Sequence, residues 1–144
     1  LSSHQRLLTA ATPFLQQSLD GAVVFIASRN VPAPGPGASA YSVAKAGLTQ
    51  LARVASLELG SYGVRVNVLH PDCVYDTGLW SDDVLEGRAE KYGMSVEAYK
   101  SRNILKKEVT SREVAEMVAA VAGPVFLKTT GAQIPIDGGN DRVI

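Results

Sequence analysis

Tyr41 and Lys45 stand four positions apart, the spacing that puts two side chains on one face of a helix, a turn from each other. A lysine ammonium beside a phenol favours the phenolate and lowers its pKa. A tyrosine tuned in that way can act as a general acid/base near neutral pH. Taken alone, the pair reads as a surface contact. Its surroundings change the reading. Ser28 comes directly after a strongly apolar run and precedes Tyr41 by 13 residues (41 minus 28). The carboxyl end of a strand is where open α/β sheets bind ligands. A serine hydroxyl, a phenol and an ammonium could therefore converge on one substrate oxygen.

These residues need elements to hold them. Leu7, Leu8, Ala11, Phe14 and Leu15 recur at helical spacing. Ser2 and Gln5 have the spacing of a capping box before that helix, and Pro13 should kink it. Ala22 to Ala27 is a continuous apolar run that reads as a strand buried on both faces. Residues 28–38 hold three prolines and two glycines and form a loop. Ser39 to Leu59 has a helical pattern with Leu48, Leu51, Ala52, Ala55 and Leu59 on one face, closed by Gly60 and Gly63. Val64 to Leu69 is a second strand, stopped at Pro71. Residues 72–109 are irregular, with short helical patterns near 81–91 and 95–102. Thr110 and Glu113 cap a further helix that Gly123-Pro124 ends, and Ala132 to Ile136 is a third strand before an Asp137-Gly-Gly139 turn. Strands alternating with helices predict an α/β fold with a parallel sheet. Three strands make a poor sheet, so a doubly wound sheet needs strands from outside this segment.

Composition narrows the function classes. The chain has 144 residues, 46% of them hydrophobic and 19% charged, which supports a buried core. Fourteen basic and fourteen acidic side chains give a formal net charge of zero. That balance gives no sign of a nucleic-acid or membrane-surface partner. The apolar runs are too short to span a bilayer, and no signal peptide opens the chain. Cys73 is the only cysteine, so no internal disulfide can form, and a cytoplasmic setting fits. His4, His70 and Cys73 lack metal-ligand spacing, so no metal site is expected. Trp80, Tyr92 and Tyr99 either line a small pocket or simply pack residues 79–107. His70 reads as a strand-end residue rather than a catalyst, and Arg102, Lys106 and Lys107 read as surface charge. The first residue, Leu1, suggests a fragment of a longer chain.

Five elements in order carry a resemblance. They are Ala27-Ser28, the gap to Tyr41-Ser-Val-Ala-Lys45-Ala-Gly, Val64-Arg-Val-Asn67-Val with the Pro71 turn, Thr130-Gly-Ala-Gln133, and Asp137-Gly-Gly139. Together they resemble the short-chain dehydrogenase/reductase family. The resemblance implies the C-terminal part of a Rossmann-like doubly wound parallel sheet with helices on both faces. Residues 1–144 would be the C-terminal portion of one such domain. The dinucleotide-binding half, with its glycine-rich phosphate loop and the family's active-site asparagine, would precede Leu1.

The resemblance implies roles as well. Ser28 would hydrogen-bond the reacting oxygen. Tyr41 would move the proton, and Lys45 would lower the phenol pKa and bond the nicotinamide ribose. Pro71, Val74 and Thr77 would lie along the nicotinamide of NAD or NADP, and residues 79–107 would be the segment that covers the substrate. The helix after Tyr41 would pack in the core and across a homo-oligomer interface. Two departures stand out: Asp72 occupies the place of the usual glycine after Pro71, and Thr77 comes one place late.

Longer phrases are more particular. Asn30 to Gly37, His70-Pro-Asp72, Asp76 to Trp80, Arg102 to Lys106 and Lys128 to Gly139 with the ending Asn140–Ile144 resemble the dehydrogenase portion of bifunctional rhamnulose-1-phosphate aldolase/alcohol dehydrogenases. This implies oxidation of lactaldehyde to lactate in rhamnose catabolism, downstream of an aldolase domain. The alternatives are a generic alcohol or sugar dehydrogenase of the same family and a non-catalytic dinucleotide-binding or assembly module.

Overall fold

The computed structural model describes residues 1–139, and the Asn140–Ile144 ending of the narrower resemblance lies outside the described residues. In chain order the elements are α1 (Ser2–Gln16), β1 (Ala22–Ile26), α2 (Ser39–Leu59), β2 (Arg65–Pro71), α3 (Asp82–Lys91), α4 (Val96–Lys100), α5 (Ser111–Ala122) and β3 (Gln133–Ile136). The three strands form one parallel sheet in the order β1-β2-β3. Residues 22–26 pair with 65–69, and 68–71 pair with 133–136. Parallel neighbours require a crossover; α2 supplies it between β1 and β2, and residues 72–132, which include α5, supply it between β2 and β3.

The apolar stripe read from α2 is the one that the fold buries. Leu48, Ala52, Ala55 and Leu59 pack with Phe25, Ala27, Val64, Val66 and Val68 into the main core, and Leu51 closes its margin. Gly60 opens a single 3-10 turn, and Gly63 closes it at φ 74°, a backbone conformation that costs glycine nothing.

Two local expectations change. Ser2 caps nothing: the helix starts at Ser2 with Leu1 as its N-cap, and no side chain caps that end. Ser2 therefore already sits in the first turn, while the Gln5 N–H reaches the Leu1 carbonyl at 3.1 Å. Also, α1 continues as one helix through Pro13 to Gln16. By contrast, Thr110 and Glu113 form the capping box of α5 with both reciprocal bonds made.

β1 is not buried on both faces. Phe25 and Ala27 are buried, but Ile26 is 37% exposed and Ala22 to Val24 are only half-buried. The apolar run is real; what differs is its place, because β1 forms one edge of this sheet, where α2 buries Phe25 and Ala27 and α5 approaches the strand without burying Ala22 to Val24 or Ile26. β2 takes the central position instead, and every residue from Arg65 to His70 is buried.

Burying polar side chains in β2 demands partners, and they are present. The Arg65 guanidinium donates to the carbonyls of Val121, Ala122 and Phe126 at 3.0, 2.9 and 3.3 Å and to Asp20 Oδ1 at 2.9 Å. It thereby serves the orphan carbonyls at the end of α5. Asn67 Nδ2 donates to the Thr129 carbonyl at 2.9 Å, and Asn67 Oδ1 accepts from the Ala132 N–H at 3.0 Å. This side chain fixes the loop that delivers β3. Asn67→Leu would leave Thr129 O and Ala132 N without partners, a cost of about 2–6 kcal/mol at about 1–3 kcal/mol per buried unmet group. Urea unfolding of the full-length protein should show a lower midpoint at an unchanged slope; an unchanged midpoint would mean that water or a shifted backbone meets both groups.

Candidate active site at the carboxyl ends of the strands

The ladder between β1 and β2 continues past the regular strands. Ala27 N donates to Leu69 O at 2.8 Å and Arg29 N to Pro71 O at 3.0 Å. Ser28 is thus held in extended register at the carboxyl end of the sheet, 7% exposed. Its Oγ accepts from the Asn30 N–H at 3.2 Å, a local turn that starts the Pro/Gly loop. Its carbonyl accepts from His70 Nδ1 at 2.9 Å.

The bond to Ser28 sets the His70 tautomer, since a carbonyl only accepts. His70 Nε2 lies 2.6 Å from the Gln133 side-chain oxygen, while Gln133 Nε2 is buried without a partner. With the Gln133 amide nitrogen facing His70 Nε2, that nitrogen donates to the ring and both groups are satisfied. His70 is therefore a buried brace between β1 and β3, in keeping with its reading as a strand-end residue.

Tyr41 and Lys45 lie near the start of α2, on one face as the spacing predicts. The Lys45 ammonium is 5.8 Å from the centroid of the Tyr41 ring. It donates to the Ile26 carbonyl at 2.9 Å, two residues before Ser28, and so clamps α2 onto the end of β1. Burial holds the Lys45 ammonium below its ordinary pKa. Among the described residues no hydrogen bond joins Ser28, Tyr41 and Lys45 directly; the Lys45–Ile26 bond ties the start of α2 to the strand that Ser28 follows. Tyr41 is 48% exposed. Its hydroxyl and two of the three Lys45 N–H groups have no partner among the described residues. A sugar hydroxyl or a substrate oxygen fits that donor set, so the residues present suit the nicotinamide-ribose end of a dinucleotide.

Pro71 closes β2, and Val74 and Thr77 lie in the turn beyond it. Cys73 takes the left-handed conformation at φ 46°. Thr77 Oγ1 donates to the Val74 carbonyl at 2.9 Å, and Val74 makes a single parallel bridge to Val109. The turn is thus tied both within itself and to the residues before α5. A second tie comes from Asp76, whose carboxylate accepts from Ser111 N at 2.8 Å and Ser111 Oγ at 2.7 Å. These bonds, with the hydroxyl foremost, hold the Asp76 carboxyl below its ordinary value.

The aromatic residues of the covering segment pack rather than line a pocket. Tyr75, Leu85, Ala89 and Tyr99 form a second small core with Trp80 against it. The Tyr75 and Trp80 rings meet edge-on at 4.9 Å, and Tyr92 stacks on Tyr99 at 5.7 Å. Arg102 is not simple surface charge: its guanidinium carbon lies 4.5 Å from the Tyr99 ring centre and 5.3 Å from that of Tyr92, close enough for cation–π attraction. The cavity between this core and the turn after β2 is about 10 Å³, room for one water at most. The larger groove, about 410 Å³ between α5 and residues 105–109, shares no residue with Ser28, Tyr41 or Lys45. Asn103 and Ile104 dock on the Asp137–Gly139 turn, where Ile104 N and Leu105 N donate to Gly139 and Gly138 carbonyls at 2.9 Å. A Cβ on Gly138 would collide with the Asn103 side chain, which is why glycine stands there.

Sequence reasoning missed one pair. Arg29 Nε lies 2.9 Å from Asp72 Oδ2, with both side chains largely buried. Asp72 had stood out as a departure from the family pattern, and the charge beside Ser28 was the available signal.

The fold and this arrangement define a Rossmann-like α/β domain with its polar cluster at the carboxyl ends of a parallel sheet. A family model described as enoyl-(acyl carrier protein) reductase matches residues 1–141. The uncharacterized oxidoreductase YuxG of Bacillus subtilis is 38% identical over 128 residues, 85% of this chain and 19% of YuxG. The 2,3-dihydro-2,3-dihydroxybenzoate dehydrogenase of Escherichia coli is 36% identical over 83% of this chain and 49% of its own length. An NADPH-bound short-chain oxidoreductase from Pseudomonas aeruginosa, described as containing an atypical catalytic center, superposes with a TM-score of 0.78 at 29% identity, covering 94% of this chain and 51% of that one. The chain belongs to the short-chain dehydrogenase/reductase family, a family of oxidoreductases. It spans between a fifth and a half of the length of these relatives. Among the described residues no group of three or more His, Cys, Asp or Glu could hold a metal, and no helix is long and apolar enough to cross a membrane.

Two solution tests follow from the turn after β2. Burial and the neighbouring Asp72 push the Cys73 thiol up to about 11. Alkylation by iodoacetamide at neutral pH, followed by mass spectrometry, should run on the order of 100-fold slower than for a free thiol, because only the thiolate reacts. Labelling at the rate of a free thiol would contradict that burial. For Asp76 the folded-state pKa is depressed, so its stabilisation is present at neutral pH and lost as pH falls through the carboxylate range. Asp76→Ala should lower the calorimetric Tm at neutral pH, with the gap to the parent closing on acidification; a gap that stays constant would show that the carboxylate charge plays no part.

Proposed function

We propose that this chain carries the catalytic half of an NAD(P)-dependent dehydrogenase in which Ser28, Tyr41 and Lys45 act together. The observation that carries the reading is the Lys45–Ile26 bond at 2.9 Å. It seats the helix bearing Tyr41 against the strand end bearing Ser28, beside unpartnered donors suited to a ribose and a substrate oxygen. The dinucleotide-binding half would come from a segment preceding Leu1. The outer edge of β1, unpaired within the described residues, supports that arrangement, because an open parallel edge is a template for further strands.

A bound nicotinamide would supply the hydride acceptor, NAD or NADP. The chain's own residues do the rest. Ser28 Oγ holds the reacting oxygen, which its position at the strand end allows. Tyr41 accepts the proton from that oxygen at its phenolic oxygen. Lys45 favours the phenolate through its charge and offers its free N–H groups to the ribose. Pro71, Val74 and Thr77 line the nicotinamide side of the turn. An aldehyde substrate enters this scheme as its hydrate, a geminal diol: Ser28 holds one hydroxyl, Tyr41 takes that hydroxyl's proton, and the hydrogen on the carbon would leave as hydride for the nicotinamide.

For the substrate we propose lactaldehyde, oxidised to lactate in rhamnose catabolism, in a chain that also carries an aldolase domain. The phrases quoted above support it; the 128 residues shared with YuxG are 19% of that relative, a length that leaves room for a further domain. The helix after Tyr41 would also join two copies. Val43, Val54 and Leu57 of α2 and Leu7 and Phe14 of α1 are exposed apolar side chains, which fits a covered surface in the assembly. A cytoplasmic location fits the single thiol. The second reading, a generic alcohol or sugar dehydrogenase, rests on the relatives that act on other small molecules by name.

The test is NADH formation by the full-length protein with lactaldehyde and NAD. Turnover should fall by at least 100-fold in Tyr41→Phe, in line with the contribution of a positioned acid/base. Near-normal turnover in that variant would sink the acid/base assignment. Activity on other alcohols with none on lactaldehyde would discard the substrate and keep the site.

A further inference from the structure

Arg29 and Asp72 form an ion pair with Nε–Oδ2 at 2.9 Å, their side chains 8% and 16% exposed. The geometry is not that of an aligned hydrogen bond: Nε and Nη1 of Arg29 are both buried with no hydrogen-bond partner. A buried pair of this kind is weak support for stability, since apolar residues of similar volume often serve as well or better. The pair stands where small shifts matter for chemistry. Arg29 is the residue after Ser28, and Asp72 follows Pro71. At this level Arg29 N donates to Pro71 O at 3.0 Å, joining the ends of β1 and β2, while Asp72 N donates to Ile136 O of β3 at 3.2 Å. One side-chain contact therefore spans from the strand end that carries Ser28 to the turn that carries Val74 and Thr77.

We propose that Arg29 and Asp72 are a matched pair of positioning residues that sets the distance between Ser28 and the turn after β2. This rests on the reading of Ser28, Tyr41 and Lys45 as the reacting cluster. Asp72 fills the place where the family pattern has glycine, and a carboxylate there is tolerated because a cation comes from the neighbouring strand end. Removing one partner leaves a buried, uncompensated charge that must find water, and the two strand ends separate to admit it. Removing both lets them close again. Neither residue exchanges a proton or touches the reacting atoms; both act through Ser28 and the turn.

The test compares four forms of the full-length protein: the parent, Arg29→Met, Asp72→Gly and the double variant, with Arg29→Lys as the conservative control. Steady-state kinetics are measured with lactaldehyde and with a panel of small alcohols, beside thermal unfolding. Each single variant should lose at least tenfold in kcat with a smaller change in substrate KM. The double variant should recover to within about threefold of the parent, and Arg29→Lys should lie between parent and Arg29→Met. This coupling must appear at temperatures where every form is fully folded. Singles that keep parental kcat, losses that simply multiply in the double variant, or losses that track the unfolded fraction would each overturn the proposal. A parent inactive on every substrate would overturn the reading of the cluster, and this proposal with it; an active parent with unchanged singles would overturn the pair alone.

Discussion

The structure depends on one strand that is buried from Arg65 to His70 and yet carries three polar side chains. β2 can hold the centre of the sheet only because Arg65, Asn67 and His70 each meet backbone groups that would otherwise be orphaned. Arg65 ends α5, Asn67 shapes the loop into β3, and His70 braces the end of β1. The cost of burying these groups unpaired makes the arrangement cooperative: each neighbouring element is specified by a donor or acceptor on the strand that it packs around. Val66 and Val68, interleaved with these polar residues, provide the apolar contact with α2.

The site is a consequence of that frame. Parallel strands end together, so the residues after β1 and β2 meet at one edge, and the crossover helix begins above them. The short loop 28–38 then returns the chain to Tyr41. Lys45 converts this proximity into a fixed relation by bonding the last carbonyl of β1. The turn after β2 is held three times over, by Thr77 within itself, by Val74 to Val109 and by Asp76 to the start of α5. The covering segment has its own small aromatic core and rests on Gly138 and Gly139. Such a segment can change in sequence to suit a substrate while the strand ends stay as they are.

Family membership and particular activity stand on different footing here. The family match runs over residues 1–141, nearly the whole of this chain. Relatives that share the frame carry names for quite different substrates, so the frame by itself does not name one. The Arg29–Asp72 pair shows how a departure from the family pattern can be compensated in space rather than in sequence.

Much of the fold was legible because periodicity reports burial directly. The α2 stripe, the strand at 64–69, the Thr110–Glu113 cap and the Gly/Pro breaks all follow from local rules that need no partner. Tyr41 and Lys45 were legible because helical spacing alone places them on one face, and Ser28 because it follows an apolar run. The sequence could not say that β1 is an edge and β2 the centre, since both read as apolar runs and only pairing distinguishes them. It could not show that His70 braces Ser28, because that partner lies 42 residues away, nor that Arg102 packs on two nearby tyrosine rings, because the direction its long side chain takes is set by the packing around it. It flagged Asp72 as an anomaly without its partner, 43 residues earlier (72 minus 29). By itself the sequence determined which residues are apolar, which turn, and which stand four apart. Tertiary structure decided which charges face each other, because that depends on distances in space that chain separation does not set.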